Sequence, residues 1–204
     1  MRKIFLSNKY MLIVFLVIFI MGVLFSAIYG RTGTHLFINS FHSDFADWIM
    51  KIWTWAGDGL VMLGVSVILL FRKVRYGLTL LSSFLLSSMV VQVLKNTVFR
   101  GMPRPVKYFE GSGIDLHLIQ GLEYHLFNSF PSGHSATAFA LFFGLAFLCK
   151  NRFLKTLFFI FATGTAFSRV YLSQHFLADA VFGALIGVLC AIVSHWYYCC
   201  LDKN

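Results

Sequence analysis

Residues 168–190 read S-R-V-Y-L-S-Q-H-F-L-A-D-A-V-F-G-A-L-I-G-V-L-C, and the stretch is polar at its head and apolar along the rest. Beyond Asp179 no Asp, Glu, Lys or Arg occurs until Asp202. An α-helix needs about 20 apolar residues to cross a hydrocarbon core of about 30 Å, so residues 176–200 are read as a membrane span. Ionisable groups at such a position are costly and mark functional sites. Working outward, runs of similar character occupy roughly residues 10–29, 55–71, 76–99, 133–149 and 156–171. The predicted fold is all-α, a single domain over residues 1–204 built as a bundle of six transmembrane helices.

The composition agrees with a membrane chain. Of 204 residues, 58% are hydrophobic and 12% charged, and the mean hydropathy is +0.77, which excludes an ordinary soluble domain. The formal net charge of +9 raises nucleic-acid binding, but the basic residues form short clusters between apolar runs and not one basic face. Those clusters are Arg2, Lys3 and Lys9; Arg72, Lys73 and Arg75; Lys150, Arg152 and Lys155; and Lys203. Lys and Arg concentrate in cytoplasmic loops, so both termini are expected in the cytoplasm. Residues 30–54, 100–132 and 172–175 are then expected outside. The first run exceeds the ~7–15-residue core of a signal peptide, which favours a retained helix.

Within residues 30–54, Phe37, Phe41, Phe45, Trp48, Ile49 and Ile52 recur at helical steps, with His42, Asp44, Asp47 and Lys51 between them. The pattern predicts a helix lying along the interface, as a cap on the bundle or a lipid-capturing element. Cys149, Cys190, Cys199 and Cys200 lack metal-ligand spacing and are expected to be buried thiols. The small pair Gly183 and Gly187 packs helices within one chain or between two, so the oligomeric state is open.

Three polar groups sit at the outer ends of the later spans: Lys95 with Arg104-Pro105, Pro131-Ser132-Gly133-His134, and Ser168-Arg169 followed by His175 and Asp179. In a helix beginning near His175, that residue and Asp179 lie one turn apart on one face. A carboxylate there can hold the imidazole and leave its other nitrogen to attack phosphorus. The plain alternative is a His–Asp pair that only satisfies itself. Ser132 and Gly133 open the fourth span, where helix N–H groups and the dipole favour an anion, and the plain alternative is N-capping. His134 is placed to protonate a leaving oxygen. Lys95, Arg104 and Arg169 lie on the outer side, where the positive-inside bias does not account for them; an anionic phosphoryl group would, and the plain alternative for each is snorkelling to lipid phosphates.

Taken together, these groups resemble the signature of the type 2 phosphatidic acid phosphatase (PAP2) superfamily, which includes vanadium haloperoxidases and bacterial acid phosphatases. The second and third motifs match without substitution. In the first, eight residues separate Lys95 from Arg104 where the usual pattern has six, which makes Arg100 an alternative phosphate ligand. The resemblance implies a six-helix core with the site at the outer ends of the last four helices. It further implies His175 as a nucleophile forming a phosphohistidine, Asp179 as its orienter and His134 as acid and then base. Lys95, Arg104, Ser132, Gly133 and Arg169 would bind phosphate, with no metal and no other cofactor.

The expected function is therefore metal-independent hydrolysis of a terminal phosphate or pyrophosphate on a membrane lipid, at the outer face of a bacterial plasma or inner membrane. Undecaprenyl diphosphate and lipid A phosphate lead the expected substrates, ahead of phosphatidylglycerol phosphate and phosphatidic acid. The bilayer and its lipid phosphates are the expected partners, and nucleic acid is not. A vanadate-dependent oxidant is disfavoured by the membrane spans. The alternative from another class is a lipid-binding transporter or scramblase-like protein without turnover. His35, His42, His117, His125 and His195 match none of the motifs. Of these, His117 and His125, with Asp115 and Glu123, lack a recognisable metal spacing.

Overall fold

The computed structural model describes the backbone of residues 2–200 and the side chains of residues 6–198. Lys203 lies outside them, as do the side chains of Arg2, Lys3, Cys199 and Cys200. The helices are α1 (Arg2–Asn39), α2 (Asp44–Trp53), α3 (Gly59–Arg72), α4 (Val74–Asn96), α5 (Pro105–Phe109), α6 (Gly133–Leu148), α7 (Arg152–Tyr171) and α8 (Leu177–Cys200), with a 3-10 turn at Thr54–Gly57. No strand occurs among the described residues.

This is a multi-pass membrane architecture, though the count of six spans is not reproduced. Four helices, Leu6–Asn39, α4, α7 and α8, are long and apolar enough to cross a bilayer. A fifth crossing requires Asp44–Gly57 and α3 to be joined across a 52° bend. The reason is local: Asp58 accepts from Leu60 N–H at 2.7 Å, capping a new helix at Gly59 and leaving α3 only 14 residues. Helix α6 has 16 residues, and Ser135 through Leu141 are all buried. Neighbouring helices cover its sides, so it needs no full lipid-facing length. Helix α7 begins at Arg152, before the expected residue 156, because Asn151 accepts from Leu154 N–H at 3.2 Å and caps it there.

The single interfacial helix expected over residues 37–52 is two pieces. Gly30 has φ 64° and ψ −177°, a left-handed φ suited to glycine, and it kinks α1. The chain stays helical to Asn39, then turns, and Ser43 caps α2 by accepting from Ala46 N–H at 3.3 Å. Phe37 thus belongs to α1, while Phe45, Trp48 and Ile52 are exposed on α2.

Helices α6 and α8 fix the centre. A Cβ on Gly183 would run into the Ser132 carbonyl oxygen, and one on Gly187 into the Ala136 carbonyl oxygen. The two glycines therefore let the backbones touch, and they pack helices within this chain. Phe139, Phe143 and Phe147 of α6 join Phe15 of α1, Ala162 of α7 and Val188 of α8 in the largest buried cluster. Met62, Leu80, Ala140 and Leu141 bind α3 and α4 to α6. Cys190 is buried and Cys149 half-buried, both as free thiols.

The chain path gathers the residue 97–132 segment and the 172–176 loop at one end of the bundle. The basic clusters at residues 72–75 and 150–155 fall at the opposite end, where Lys155 donates to the Ser7 carbonyl at 3.2 Å.

Candidate active site

The close α6–α8 approach brings the second and third sequence groups together. Asp179 lies one turn before Gly183 on α8, and its carbonyl accepts from Ser132 N–H at 2.9 Å, across the α6 N-terminus. The Asp179 side chain is fully buried. One of its oxygens, Oδ2, lies 3.6 Å from His175 Nδ1, near contact and beyond hydrogen-bond length. Such pairs are often loose before substrate binds. The same oxygen accepts from Ser129 Oγ and from Phe176 N–H at 2.9 Å. Ser129 is fully buried and was not singled out in the sequence. Its only signal there is its place two residues before Pro131.

His175 sits in the loop between α7 and α8, outside the membrane-spanning helices. Its backbone N–H donates to the Arg169 carbonyl at 3.1 Å, as does that of Gln174 at 3.0 Å. Burial lowers the imidazole to about 3, with the positive charges of Arg104 and Arg169 adding to the effect and Asp179 opposing it. The ring is therefore neutral at physiological pH.

The cations converge on this pair. Arg104 and Arg169 are each buried, at 8% and 7% exposure. Arg104 Nε donates to the Phe127 carbonyl at 3.0 Å, and its Nη1 reaches both the carbonyl and Oε1 of Gln174 at 3.3 Å. Arg169 Nη1 donates to Thr54 Oγ1 at 2.7 Å, while its Nε is buried without a hydrogen bond. Lys95, in the last turn of α4, is within electrostatic reach of Arg104, Arg169 and Asp179. The two extra residues of the first motif are taken up by the turn after α4, where Phe99 N–H returns to the Leu94 carbonyl and Gly101 adopts φ 76°. Arg100 is exposed in that turn and is not among the charges acting on Lys95, His134, Arg169 or His175.

Ser132 caps α6: its Oγ accepts from Ser135 N–H at 3.3 Å and from Ser135 Oγ at 2.9 Å. Capping thus uses the lone pairs of this oxygen and leaves its O–H as a donor. The first N–H groups of the helix, at Gly133 and His134, have no intrahelical acceptor and mark its positive end. His134 is half-buried there, within electrostatic reach of Arg169, His175, Arg104 and Lys95.

A second polar layer, which sequence reading left without a role, braces the His175 loop. His35 Nε2 lies 3.1 Å from Ser173 Oγ. Asn39 accepts from His117 N–H at 2.9 Å and donates to its carbonyl at 3.0 Å. His117 Nε2 meets Asp47 Oδ2 at 2.8 Å, Tyr171 donates to the other Asp47 oxygen, and the His42 and His117 rings stack at 4.1 Å. Gln174 Nε2 donates to the Glu123 carbonyl at 2.8 Å, tying the long outer segment to the loop. His195 packs on Phe147 inside the bundle, and His125 is exposed.

The family described as the PAP2 superfamily matches residues 76–200. A lipid A 4'-phosphatase from Bacteroides thetaiotaomicron is 27% identical over 157 residues, 74% of this chain and 69% of that protein. A lipid A 1-phosphatase from Porphyromonas gingivalis is 34% identical over 71 residues, which is 34% of this chain but 16% of that protein's length. The bacitracin transport permease protein BcrC of Bacillus licheniformis is 36% identical over 77 residues, covering 37% of this chain and 36% of BcrC. Among solved structures, Aquifex aeolicus LpxE superposes with a TM-score of 0.69 at 27% identity, covering 80% of this chain and 93% of LpxE. A PAP2-type phosphatidylglycerolphosphate phosphatase from Bacillus subtilis gives 0.69 at 22% identity, covering 91% and 94%; at that identity the likeness is one of fold.

Proposed function

Since the chain belongs to the PAP2 superfamily, we propose that it is a membrane lipid phosphatase acting through a covalent phosphohistidine on His175. The observation that carries this reading is a charge imbalance: Lys95 lies within electrostatic reach of two further cations, Arg104 and Arg169, and of one carboxylate, Asp179. Buried charge is expensive unless paired. A phosphoryl group carrying about two negative charges at neutral pH balances the excess, and Arg169 Nε is a buried donor available to it.

In the first step, Nε2 of neutral His175 attacks phosphorus, and Asp179 steadies the Nδ1 side as positive charge develops on the ring. The bond from phosphorus to the leaving oxygen breaks, and that oxygen takes the proton from His134. In the second step, water gives a proton to His134 and attacks phosphorus, the P–N bond breaks, and inorganic phosphate leaves with His175 neutral again. Lys95, Arg104, Arg169, the Ser132 hydroxyl and the N–H groups of Gly133 and His134 hold the phosphoryl oxygens through both transition states. No step in this scheme calls for a metal.

Lipid A phosphate is the first substrate proposed, supported by the B. thetaiotaomicron relative, whose likeness spans most of both chains. Undecaprenyl diphosphate follows, then phosphatidylglycerol phosphate and phosphatidic acid. The basic clusters support cytoplasmic termini and a site facing the periplasm or cell exterior. The transporter or scramblase alternative has no need of the His175–Asp179 juxtaposition and is not favoured.

The test is phosphate release by the purified detergent-solubilised protein with EDTA present, against these four lipids. Turnover of lipid A above the others, with acid-labile phosphate trapped on His175, is the expected result. Release from none by a folded protein would overturn the reading.

A further inference from the structure

At the end of the bundle opposite His175, α1 and α7 enclose a cavity of ≈ 490 Å³. Its lining runs along α1 from Lys9 to Met11 and Val14 and along α7 from Arg152 and Lys155 to Phe159, so the cations lie nearer the helix ends than the apolar residues. Phe159 also lines a narrower cavity of ≈ 160 Å³ closer to the site, whose other walls include Phe15, Phe139 and Ala184. The seam thus offers cations at the membrane surface and an apolar course below them. Basic pockets between membrane helices suit anionic lipid head groups, and the apolar depth suits an acyl chain.

We propose that this cavity is a binding site for an anionic glycerophospholipid of the leaflet opposite the catalytic end, separate from the substrate site. The three cations meet the head-group phosphate, and one acyl chain runs down the α1–α7 seam past Met11 and Val14 to Phe159. Charge complementarity selects this occupant over a zwitterionic lipid. The lipid also lies along a seam that Lys155 bridges at its basic end, donating to Asn8 Oδ1 and the Ser7 carbonyl. Lys155 is therefore a structural bridge, and Lys9 and Arg152 are the cations to remove.

The experiment follows the thermal midpoint of the detergent-solubilised full chain while phosphatidylglycerol or phosphatidylcholine with the same acyl chains is titrated, with inorganic phosphate present to occupy the catalytic end. Phosphatidylglycerol is expected to raise the midpoint at concentrations where phosphatidylcholine does not. Lys9→Ala and Arg152→Ala should each weaken that response about fivefold, corresponding to about 1 kcal/mol per cation. Thr156→Trp, which obstructs the cavity from its α7 wall, should weaken the response and leave phosphatase turnover within about twofold, as a site this far from the reacting atoms requires. Equal response to both lipids, or a wild-type response in the Lys9→Ala/Arg152→Ala protein, overturns the proposal. A rise with inorganic phosphate alone that this double variant loses would make the ligand a free anion and overturn it equally.

Discussion

Helix α6 is buried around most of its circumference, whereas α1, more than twice as long, buries only Asn8, Phe15, Thr34, His35, Ile38 and Asn39 among its described side chains. The difference lies in what each helix meets. Helix α6 meets protein on most sides, including α8 backbone at Gly183 and Gly187, while α1 exposes Ile13, Leu16, Val17, Ile20, Met21 and Leu24. In a bilayer, burial against protein gains little over burial against lipid, so close packing does the specifying. Helix α6 is thus the reference against which the site is positioned, and α1 is a flank that meets the rest of the bundle along one side.

The sharpest break of this comparison lies at the catalytic end. His175→Ala is expected to lower kcat by at least about 10⁴-fold with an unchanged thermal midpoint, and near-normal turnover would end the covalent mechanism. Next comes the packing contrast itself. Gly187→Val drives a side chain into the Ala136 carbonyl and should cost about 3 kcal/mol or prevent folding, read by thermal unfolding. Gly22→Ala on α1 meets Val181 alone, with Cγ2 at 2.8 Å, a stiff side chain that must shift but not backbone. It should cost about 1 kcal/mol, and equal losses at the two glycines would erase the distinction between the helices.

Lys95→Ala should lower kcat about 100-fold, as removal of one charge-stabilising donor does, with Arg100→Ala within about twofold. The reverse order would mean that the altered first motif has been aligned wrongly. Ser129→Ala leaves Asp179 without one buried donor and should cost about 10-fold in kcat, with Ser129→Thr recovering part of it. A shift of the acid limb of the pH profile toward higher pH would accompany that loss if Ser129 positions the carboxylate, and its absence would reduce Ser129 to packing. Smallest is a change that should not be seen. Burial sets the folded-state value of His175 near 3, below the unfolded 6.5, so its protonation occurs only as pH falls far below the physiological range. Its NMR resonance, identified by loss in His175→Ala, should stay flat from about pH 5 to 8; titration near 6.5 would mean an open, solvated ring.

The sequence by itself determined the membrane class, the helix order and the residues that meet at one end, because apolar run length and helical spacing are local properties that any neighbourhood must respect. Four of the six expected spans fall on observed helices that are long enough to cross, three of them within about four residues at each end and the first inside a longer helix. It also placed Lys95, Arg104, Ser132, His134, Arg169, His175 and Asp179 on the segments that converge. Tertiary structure alone decided that Ser129 and Phe176 N–H hold the Asp179 carboxylate, that Gln174 holds Arg104, and that His35 and Asn39 brace Ser173. Those partners come from separated segments, and a serine or glutamine in a loop carries no periodicity. Structure likewise decided that α6 is short and the second span bent. How much apolar length a helix needs depends on whether lipid or protein surrounds it, and that is fixed only once the neighbours are packed.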